Sequence, residues 1–313
     1  MKLGIAALIA GYLLDLLLGD PEWLYHPVRL IGKYISFAEK HLRKRGGNLR
    51  ISALILTAST TLLTMAAVAL ILWLLKLAGD VPLFIGMALL DWMGIAVTCM
   101  AKEARGVGRA LKLGVGPARK QVARIVGRDT QNLTEEEIIK ATVETVAENT
   151  TDGVISPILY ALIGGPVLLW GYKAVNTLDS MVGYMDEKYR DIGWSSAKLD
   201  DVLNYIPARL TALLMAFAAR LTGMDGKNAL RIVRRDHANH KSPNSAWSEA
   251  AAAGALHIQL GGTHLYFGKP VEKPTIGDED RPAEEEDIRR VNSLLYVTSF
   301  LMILITAAVG LLA

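Results

Sequence analysis

Two long runs without a charged residue constrain this chain more than any other feature of its sequence. Ile51–Leu75 and Val291–Ala313 contain 25 and 23 consecutive uncharged residues, most of them apolar. A helix rises about 1.5 Å per residue, so either run is long enough to cross a hydrocarbon layer of roughly 30 Å. The sequence therefore predicts an integral membrane protein. It excludes a disordered chain, a secreted disulfide scaffold and a collagen-like polymer.

The remaining global features exclude further classes. The single cysteine, Cys99, lies in an apolar segment and cannot form an internal disulfide, so we interpret it as a packing residue. The net charge of +3 is mild, and no basic run is interleaved with aromatic residues, so no nucleic-acid partner is expected. Asp15 interrupts the N-terminal apolar run, which favours a retained helix over a cleaved signal peptide.

The pattern of apolar and polar segments predicts an all-α polytopic membrane protein. We expect one membrane-embedded domain, residues 1–313, with about four to six inserted helices and with helical polar loops. The predicted inserted segments are 3–18, 51–75, 82–101, 153–172, 202–219 and 291–313. The polar regions are 19–50, 102–152, 172–201 and 220–290.

Two of the inserted segments are expected to be broken or re-entrant. Residues 153–172 contain Pro157 and Gly164-Gly165-Pro166, and residues 202–219 contain Pro207 and the charged Arg209. Proline removes a backbone donor, and non-helical backbone at membrane depth is tolerated only where protein or water covers it.

The basic residues predict the orientation of the first loops. Regions 19–50 and 102–152 are rich in Lys and Arg, so both are expected on the cytoplasmic side, with the N-terminus outside. The side of 172–201 stays open, because it depends on whether its flanking segments cross or re-enter. Within 102–152, Thr134 and Glu137 form a capping-box pattern that predicts a helix start, and the helix should run to about Asn149.

Three carboxylates form the first candidate cluster. Glu144, Glu148 and Asp152 stand at i, i+4 and i+8, which places them on one helical face. Spacing alone favours a solvated helix face. Because oxygen donors here abut an apolar segment, we favour Mg²⁺ bridging phosphates, with Glu148 and Asp152 as ligands.

A second cluster follows the fourth apolar segment. Lys173, Asn176, Asp179 and Ser180 recur every three or four residues and share one helical face. Lys173 can neutralise a phosphate and Asp179 can bind a metal, with Asn176 and Ser180 as further polar contacts. The alternative is an ordinary surface pattern.

A third cluster surrounds the fifth apolar segment. Asp200 and Asp201 precede it, and Asn204 and Arg209 lie within it. Ionisable groups in membrane segments are costly, which favours a functional interpretation with a partner. Arg209 is expected to pair with Asp201 or with a phosphate, and a purely structural ion pair is the alternative.

The fourth cluster is the turn-rich stretch Arg234–Ser245. His237 and His240 stand at i, i+3, but no cysteine joins them, so zinc is not favoured. We predict an anion-binding loop instead, with Asp236, Ser242 and Asn244 among its contacts. The chain carries no Walker motif and no dinucleotide-binding glycine motif, so any nucleotide would bind in a non-standard site.

Taken together, the motifs resemble a known family. The chain resembles adenosylcobinamide-phosphate synthase, the membrane protein of cobalamin biosynthesis that joins cobyric acid to aminopropanol phosphate. The matching stretches, in order, are Gly19-Asp20-Pro21, His26-Pro27-Val28, Ile31-Gly32, Glu148–Gly153, Tyr172–Met181, Trp194–Asp201, Asn204–Arg209 and Asp236–Ser245. They cover nearly the whole chain.

The resemblance implies an amide-forming ligase. Its substrates would be adenosylcobyric acid and (R)-1-aminopropan-2-ol phosphate, or a related amino alcohol, and its product adenosylcobinamide phosphate. Amide formation from a carboxylate is uphill in water, so activation by ATP and Mg²⁺ through an acyl phosphate is the natural hypothesis.

The residue roles are hypotheses built on this reaction, and all the polar clusters abut membrane segments where they are expected to converge. Mg²⁺ would be held by Glu148, Asp152, Asp179 and Asp200. Phosphate and substrate contacts would come from Lys173, Asn176, Ser180, Asn204, Arg209, Asp236, Ser242 and Asn244. The general base would be Asp201 or His240.

Two other functions compete with the ligase. A corrinoid or anion transporter would suit broken helices and intramembrane charges, but the spans are few and no two-fold repeat is found. A non-catalytic sensor of the inner membrane would not need so many metal and phosphate ligands. The expected location is the cytoplasmic membrane. Other corrinoid enzymes and further copies of the chain are hypothetical partners beside the bilayer.

Overall fold

Helices dominate the computed structural model, which describes residues 2–21, 23–184, 186–266 and 268–312. Residue 313, where the last predicted segment ends, lies outside the described residues. The first helices are α1 Lys2–Leu18, α2 Pro27–Arg45, α3 Leu49–Leu77, α4 Asp80–Gly94, α5 Val97–Leu111, α6 Val115–Val122 and α7 Glu135–Thr150. A π-helical turn, Thr151–Ile155, leads into α8 Ser156–Val182. Then follow α9 Trp194–Leu203, α10 Tyr205–Leu221, α11 Gly226–Asp236, α12 Ser245–Leu256, β1 Leu260–Tyr266, β2 Lys269–Ile276 and α13 Glu285–Leu312.

The described residues include four helical segments long and apolar enough to cross a membrane. These segments are Leu49–Leu77, Asp80–Leu111, Glu135–Val182 and Glu285–Leu312. The pair α9 and α10, bent by 46°, is a fifth candidate if it acts as one broken span. The predicted all-α polytopic class with several inserted and partly broken helices is therefore confirmed. The capping box of Thr134 and Glu137 also begins α7 as predicted.

The break expected inside the fourth segment lies at the predicted glycines. Gly164 (φ −143°, ψ 23°) and Gly165 (φ 64°, ψ −162°) both leave helical backbone within α8, directly before Pro166. Glycine adopts a positive φ without a steric penalty, and proline donates no backbone hydrogen bond. The sequence thus encodes the kink locally.

The chain folds into two compact units, each built from separated stretches. The first unit contains Met1–Ala96, Ser156–Asn204 and Ile303–Ala313, and the second contains Val97–Ile155 and Tyr205–Met302.

Close helix packing and buried tryptophans hold the first unit together. Gly11 brings α1 against α4, because a Cβ there would lie 2.8 Å from the carbonyl oxygen of Ala88. The buried indole N–H groups of Trp92 and Trp170 donate to the carbonyls of Gly19 (2.9 Å) and Leu90 (3.1 Å). Buried indoles need such partners, so these bonds fix the helix register.

Small residues shape the core of the second unit. The run Ala250–Ala253 of α12 is fully buried, and a Cβ on Gly254 would lie 2.8 Å from the Cα of Ala229 in α11. The two helices therefore approach closely only because their contact residues are small.

A short β-hairpin in the second unit was not predicted. β1 and β2 pair antiparallel, with an irregular register between Leu260 and Gly262. The sequence predicts helical polar loops here, because the stretch carries two consecutive glycines and no clean alternation of apolar and polar residues. The hairpin matters for the site, because it supplies Lys273 and His264 to the second unit.

Candidate active site

Asn204 is the centre of a buried polar cluster in the first unit. Its side chain is 2% exposed, and its Oδ1 accepts hydrogen bonds from the hydroxyls of Ser156 (2.7 Å) and Tyr172 (3.0 Å). Its Nδ2 donates to Oδ2 of Asp200 (3.0 Å). We call these residues, together with Asn176, the Asn204 cluster. The position follows from the chain geometry, since Asn204 sits at the bend between α9 and α10.

Asp200 is held by amide donors on both of its oxygens. Asn176 of α8 donates to Oδ1 (3.3 Å), and Asn204 donates to Oδ2 (3.0 Å). Hydrogen bonds from neutral donors stabilise a carboxylate without neutralising its charge. Asp200 is thus fixed and can still bind a cationic group, as the sequence predicts for a metal ligand.

The other α8 candidates differ in how they are used. Lys173 and Asp179 are half-buried, whereas Ser180 is exposed and donates to the carbonyl of Asn176 in its own helix (2.8 Å). The Ser180 hydroxyl therefore serves the helix in this conformation.

His26 lies near Lys173 and has a structural task. Its Nδ1 accepts the backbone N–H of Val28 (3.2 Å) at the start of α2, and it also bonds the backbone of Met93. Burial, partly offset by Asp20 and reinforced by Lys173, lowers the pKa of His26. The His-Pro-Val motif therefore anchors α2 with a neutral imidazole.

Asp201, a predicted base, does not share the environment of Asp200. It lies half-buried beside Lys198 of the same helix, with Nζ 3.5 Å from Oδ2. Adjacent residues of a helix point in different directions, so Asp200 and Asp201 contact different partners.

The second unit contains a group of buried and half-buried ionisable side chains. Glu144 pairs with Arg128 and also accepts the backbone N–H of Gly261 (2.8 Å). Glu148 accepts the hydroxyl of Ser245 (3.0 Å). We define the Glu249 cluster as Arg128, Glu144, Glu148, His240, Glu249 and Lys273.

The burial and charges of this cluster determine which of its side chains hold a proton. Burial raises the pKa of Glu249 well above its usual value, and the neighbouring charges of Glu148 and Glu144 raise it further. Burial opposes the charged form of Lys273, yet Tyr266 and Glu249 raise its pKa above the usual value. Glu249 is therefore the acid that holds a proton, while Lys273 stays cationic.

His240, the other predicted base, is the member of this cluster whose tautomer the backbone defines. Its Nδ1 accepts the backbone N–H of Ser242 (3.0 Å), so a neutral ring carries its proton on Nε2. Burial and the charge of Lys273 lower the pKa of His240. In this conformation the ring offers an N–H donor, which suits an oxyanion better than an ammonium group.

The predicted loop contacts Ser242 and Asn244 join Arg209 in the same unit. Ser242 Oγ accepts the backbone N–H of Asn244 (3.2 Å), and Asn244 Oδ1 accepts from Arg209 Nη1 (3.5 Å). The Arg209 guanidinium stacks on the rings of Tyr205 (3.4 Å to the centroid) and Trp247 (4.5 Å). The two rings thus hold the Arg209 guanidinium in one orientation, in which it is preorganised to bind an anion.

Asp236 serves the fold instead of extending this anion loop. It is 3% exposed, pairs with Arg235 (2.6 and 2.8 Å) and accepts the N–H of Gly277 (2.8 Å). His237 packs on Trp247, with ring centroids 4.4 Å apart. Both side chains are engaged in contacts that hold α11 and the end of β2.

No group of three or more His, Cys, Asp or Glu side chains within the described residues is arranged to hold a metal ion. Glu148 and Asp152 belong to the second unit, and Asp179 and Asp200 belong to the first. Mg²⁺ commonly takes only one or two protein carboxylates and completes its shell with phosphates and water. Carboxylate, amide and hydroxyl oxygens of this kind fit a phosphate-bridged ion better than an all-protein cage.

Comparison with known proteins decides the family. The model of the CobD/Cbib protein family matches residues 8–295. A relative from Geobacter metallireducens, named cobalamin biosynthesis protein CobD, is 48% identical over 303 residues, covering 96% of this chain and 95% of that protein. This chain belongs to the CobD/Cbib protein family.

Other relatives with the same name are similarly close. The protein from Streptococcus sanguinis is 48% identical over 296 residues and covers 94% of each chain. The one from Citrobacter koseri is 45% identical over 313 residues and covers 97% of each chain. No solved structure matches the chain at a significant level.

Several site residues of this CobD/Cbib protein were missed by sequence reasoning. Ser156 lay within the fourth apolar segment and Tyr172 within a matching motif, while Arg128 and Lys273 lay in polar regions and were not singled out. Glu249 carried the clearest signal, because it is a lone acid directly before four alanines. Such an acid in a helix that is apolar all round must be buried with partners.

Proposed function

We propose that this CobD/Cbib protein is the ligase of cobalamin biosynthesis that joins adenosylcobyric acid to (R)-1-aminopropan-2-ol phosphate, or to the free amino alcohol. The product is adenosylcobinamide phosphate or its dephosphorylated form. The proposal is carried by one observation: relatives named cobalamin biosynthesis proteins match nearly the whole chain at 45–48% identity. The buried polar clusters supply groups suited to this chemistry.

The reaction requires activation of a carboxylate. In the proposed course a corrinoid carboxylate oxygen attacks the γ-phosphorus of ATP, and ADP leaves. The amine nitrogen then attacks the acyl carbon, phosphate departs, and one proton leaves the nitrogen. Charge develops on the phosphoryl oxygens and on the acyl oxygen, where fixed donors lower the barrier most.

The chain offers cationic and N–H donors for these oxygens. Arg209 and the His240 Nε2–H group are the proposed contacts offered by the second unit, and Lys173 is the candidate contact of the first unit considered by itself. Arg209 is held by two aromatic rings, so little conformational freedom is lost when it binds an oxyanion. Asn204 and Asn176 act through Asp200 as positioning residues.

A magnesium ion bound with ATP would be held by Glu148, Asp152, Asp179 or Asp200 and would neutralise phosphate charge. Since the His240 tautomer is a donor, Asp201 is the better candidate to accept the amine proton. The proposed location is the cytoplasmic membrane, supported by the spans and by the basic loops 19–50 and 102–152.

Amide formation by the purified full-length protein tests this proposal. The protein is incubated with adenosylcobyric acid, each amino alcohol and Mg-ATP, and the corrinoid product is resolved by mass. We expect product and ADP in equal amounts. Corrinoid that crosses vesicle membranes without an amide product would instead support a transporter. The absence of both amide formation and corrinoid transport would support a sensor.

An Asp152→Asn variant tests the metal assignment within the same assay. The substitution keeps the size of the side chain and removes its charge. We expect a raised Mg²⁺ requirement and lower turnover. Normal activity at limiting Mg²⁺ would remove Asp152 from the ligand set.

A further inference from the structure

A cavity of about 430 Å³ in the second unit lies outside the predicted site residues. It is bounded by the segment before α7 and by the hairpin strand β1. Its polar lining comprises Asp129, Gln131, Asn132, Glu137, Thr263 and His264. Leu133 and Leu265 add apolar surface. The size suits a small molecule and is too small for a corrin ring system.

One lining side chain lacks the partners that its burial demands. His264 is 8% exposed, and neither ring nitrogen has a hydrogen-bond partner among the described residues. A buried polar group without a partner costs roughly 1–3 kcal/mol, so such a group indicates a missing bonding partner. Burial and the nearby charge of Arg128 lower the pKa of His264, which leaves one donor and one acceptor on the ring.

The charges of the lining define what that partner is. Asp129 and Glu137 give the wall two carboxylates, and no Lys or Arg lines the cavity within the described part of the chain. Nearby Arg128 pairs with Glu144 through Nη2, whereas its buried Nη1 has no hydrogen-bond partner among the described residues. An organic cation matches two carboxylates beside a neutral imidazole that offers one donor and one acceptor.

We infer that this cavity binds a small protonated amine that carries an oxygen function, namely an amino alcohol or its phosphate ester. The ammonium group pairs with Asp129 and Glu137, and the oxygen group bonds His264. Identification of this ligand with the amine substrate rests on the proposed function. His264 in the cavity wall also interacts electrostatically with Arg128, Glu144 and Lys273, which are members of the Glu249 cluster.

Binding measured without ATP or corrinoid tests the inference. Full-length protein in nanodiscs is titrated calorimetrically with (R)-1-aminopropan-2-ol and, separately, with its O-phosphate. We expect saturable binding of at least one compound, with the free amino alcohol favoured at low salt because no cation lines the wall. Failure of both compounds to bind would overturn the inference.

Three variants locate the binding site. Asp129→Asn keeps an acceptor for the N–H of Gly268 but removes the charge, and it should weaken binding about tenfold or more, or ~1.4 kcal/mol. His264→Leu should weaken binding similarly, whereas His264→Gln keeps a donor and an acceptor and should restore most of it. The control is Glu279→Gln, an exposed acid outside the lining, which should bind normally.

The outcomes separate this inference from the proposed ligase. Unchanged affinity in Asp129→Asn and His264→Leu would overturn the cavity assignment even if the protein forms amides. Loss of binding in these variants would sustain the assignment even if no amide product is ever formed. Thermal unfolding of each variant confirms that the comparison is made on folded protein.

Discussion

Replacing Asn204 with leucine tests the buried hydrogen-bond network at its centre. Leucine has a similar volume but removes three side-chain hydrogen bonds: two from the hydroxyls of Ser156 and Tyr172, and one to Asp200. A neutral bond contributes about 1 kcal/mol and one to a charged group about 1.5–3 kcal/mol. The expected loss is therefore about 3–5 kcal/mol of unfolding free energy.

Variants that each remove one hydrogen-bond donor give a reference for this loss of unfolding free energy. Ser156→Ala and Tyr172→Phe each remove one donor, so each should cost about 1 kcal/mol. Adding Tyr172→Phe to the Asn204→Leu background should cost almost nothing more, because the acceptor is already absent. Val202→Leu, at a side chain 69% exposed in the same helix as Asp200, is the matched control.

Equilibrium unfolding in mixed micelles, followed by helical circular dichroism, measures these differences. Amide formation is measured in parallel, and Asn204→Leu should abolish it because Asp200 loses one of its two amide donors. The reasoning would be refuted if Asn204→Leu lost no more unfolding free energy than Tyr172→Phe. It would also be refuted if the loss in the double variant equalled the full sum of the losses in the two single variants.

Three further predictions follow from the second unit. Because the folded pKa of Glu249 is raised above its unfolded value of 4.5, its stabilisation is present below that value and is lost as pH rises through the folded pKa. The midpoint of unfolding should therefore fall as the pH is raised above 4.5 and through the raised folded pKa, and Glu249→Gln should flatten this slope. Arg209→Lys, which loses the planar stacking, should lower kcat/KM for ATP about tenfold. Asp287→Ala should cost about 1.5–3 kcal/mol in micelle unfolding, because the buried carboxylate of Asp287 accepts charged hydrogen bonds from Arg281 and Arg290, and both arginines remain open to solvent once it is removed.

Much of the helical framework was predictable because its signals are local. Charge-free runs long enough to cross a bilayer mark α3 and α13, and the Gly164-Gly165-Pro166 triplet places the kink in α8 without any tertiary information. The hairpin of β1 and β2 was not predictable in this way. Its strands carry glycine and proline and no clean alternation, so pairing between them decides the structure.

The candidate site was predictable only in part, for a physical reason. Motif spacing identified Asn176, Asp200 and Asn204, which the first unit brings together, because residues on one helix face are neighbours. Spacing carries no information about which hydrogen-bond partner a side chain chooses. The use of Asp236 by Arg235, and the donor tautomer of His240, follow from contacts made after folding.

Transfer of labelled oxygen tests the central claim most directly. Adenosylcobyric acid carrying ¹⁸O in its free carboxylate is turned over with Mg-ATP and the amino alcohol, and the released phosphate is analysed by mass. The proposed acyl phosphate predicts one ¹⁸O atom in each inorganic phosphate formed with the amide. Label recovered in AMP would point to an adenylate instead, and amide formed without ATP, or no amide at all, would contradict the account.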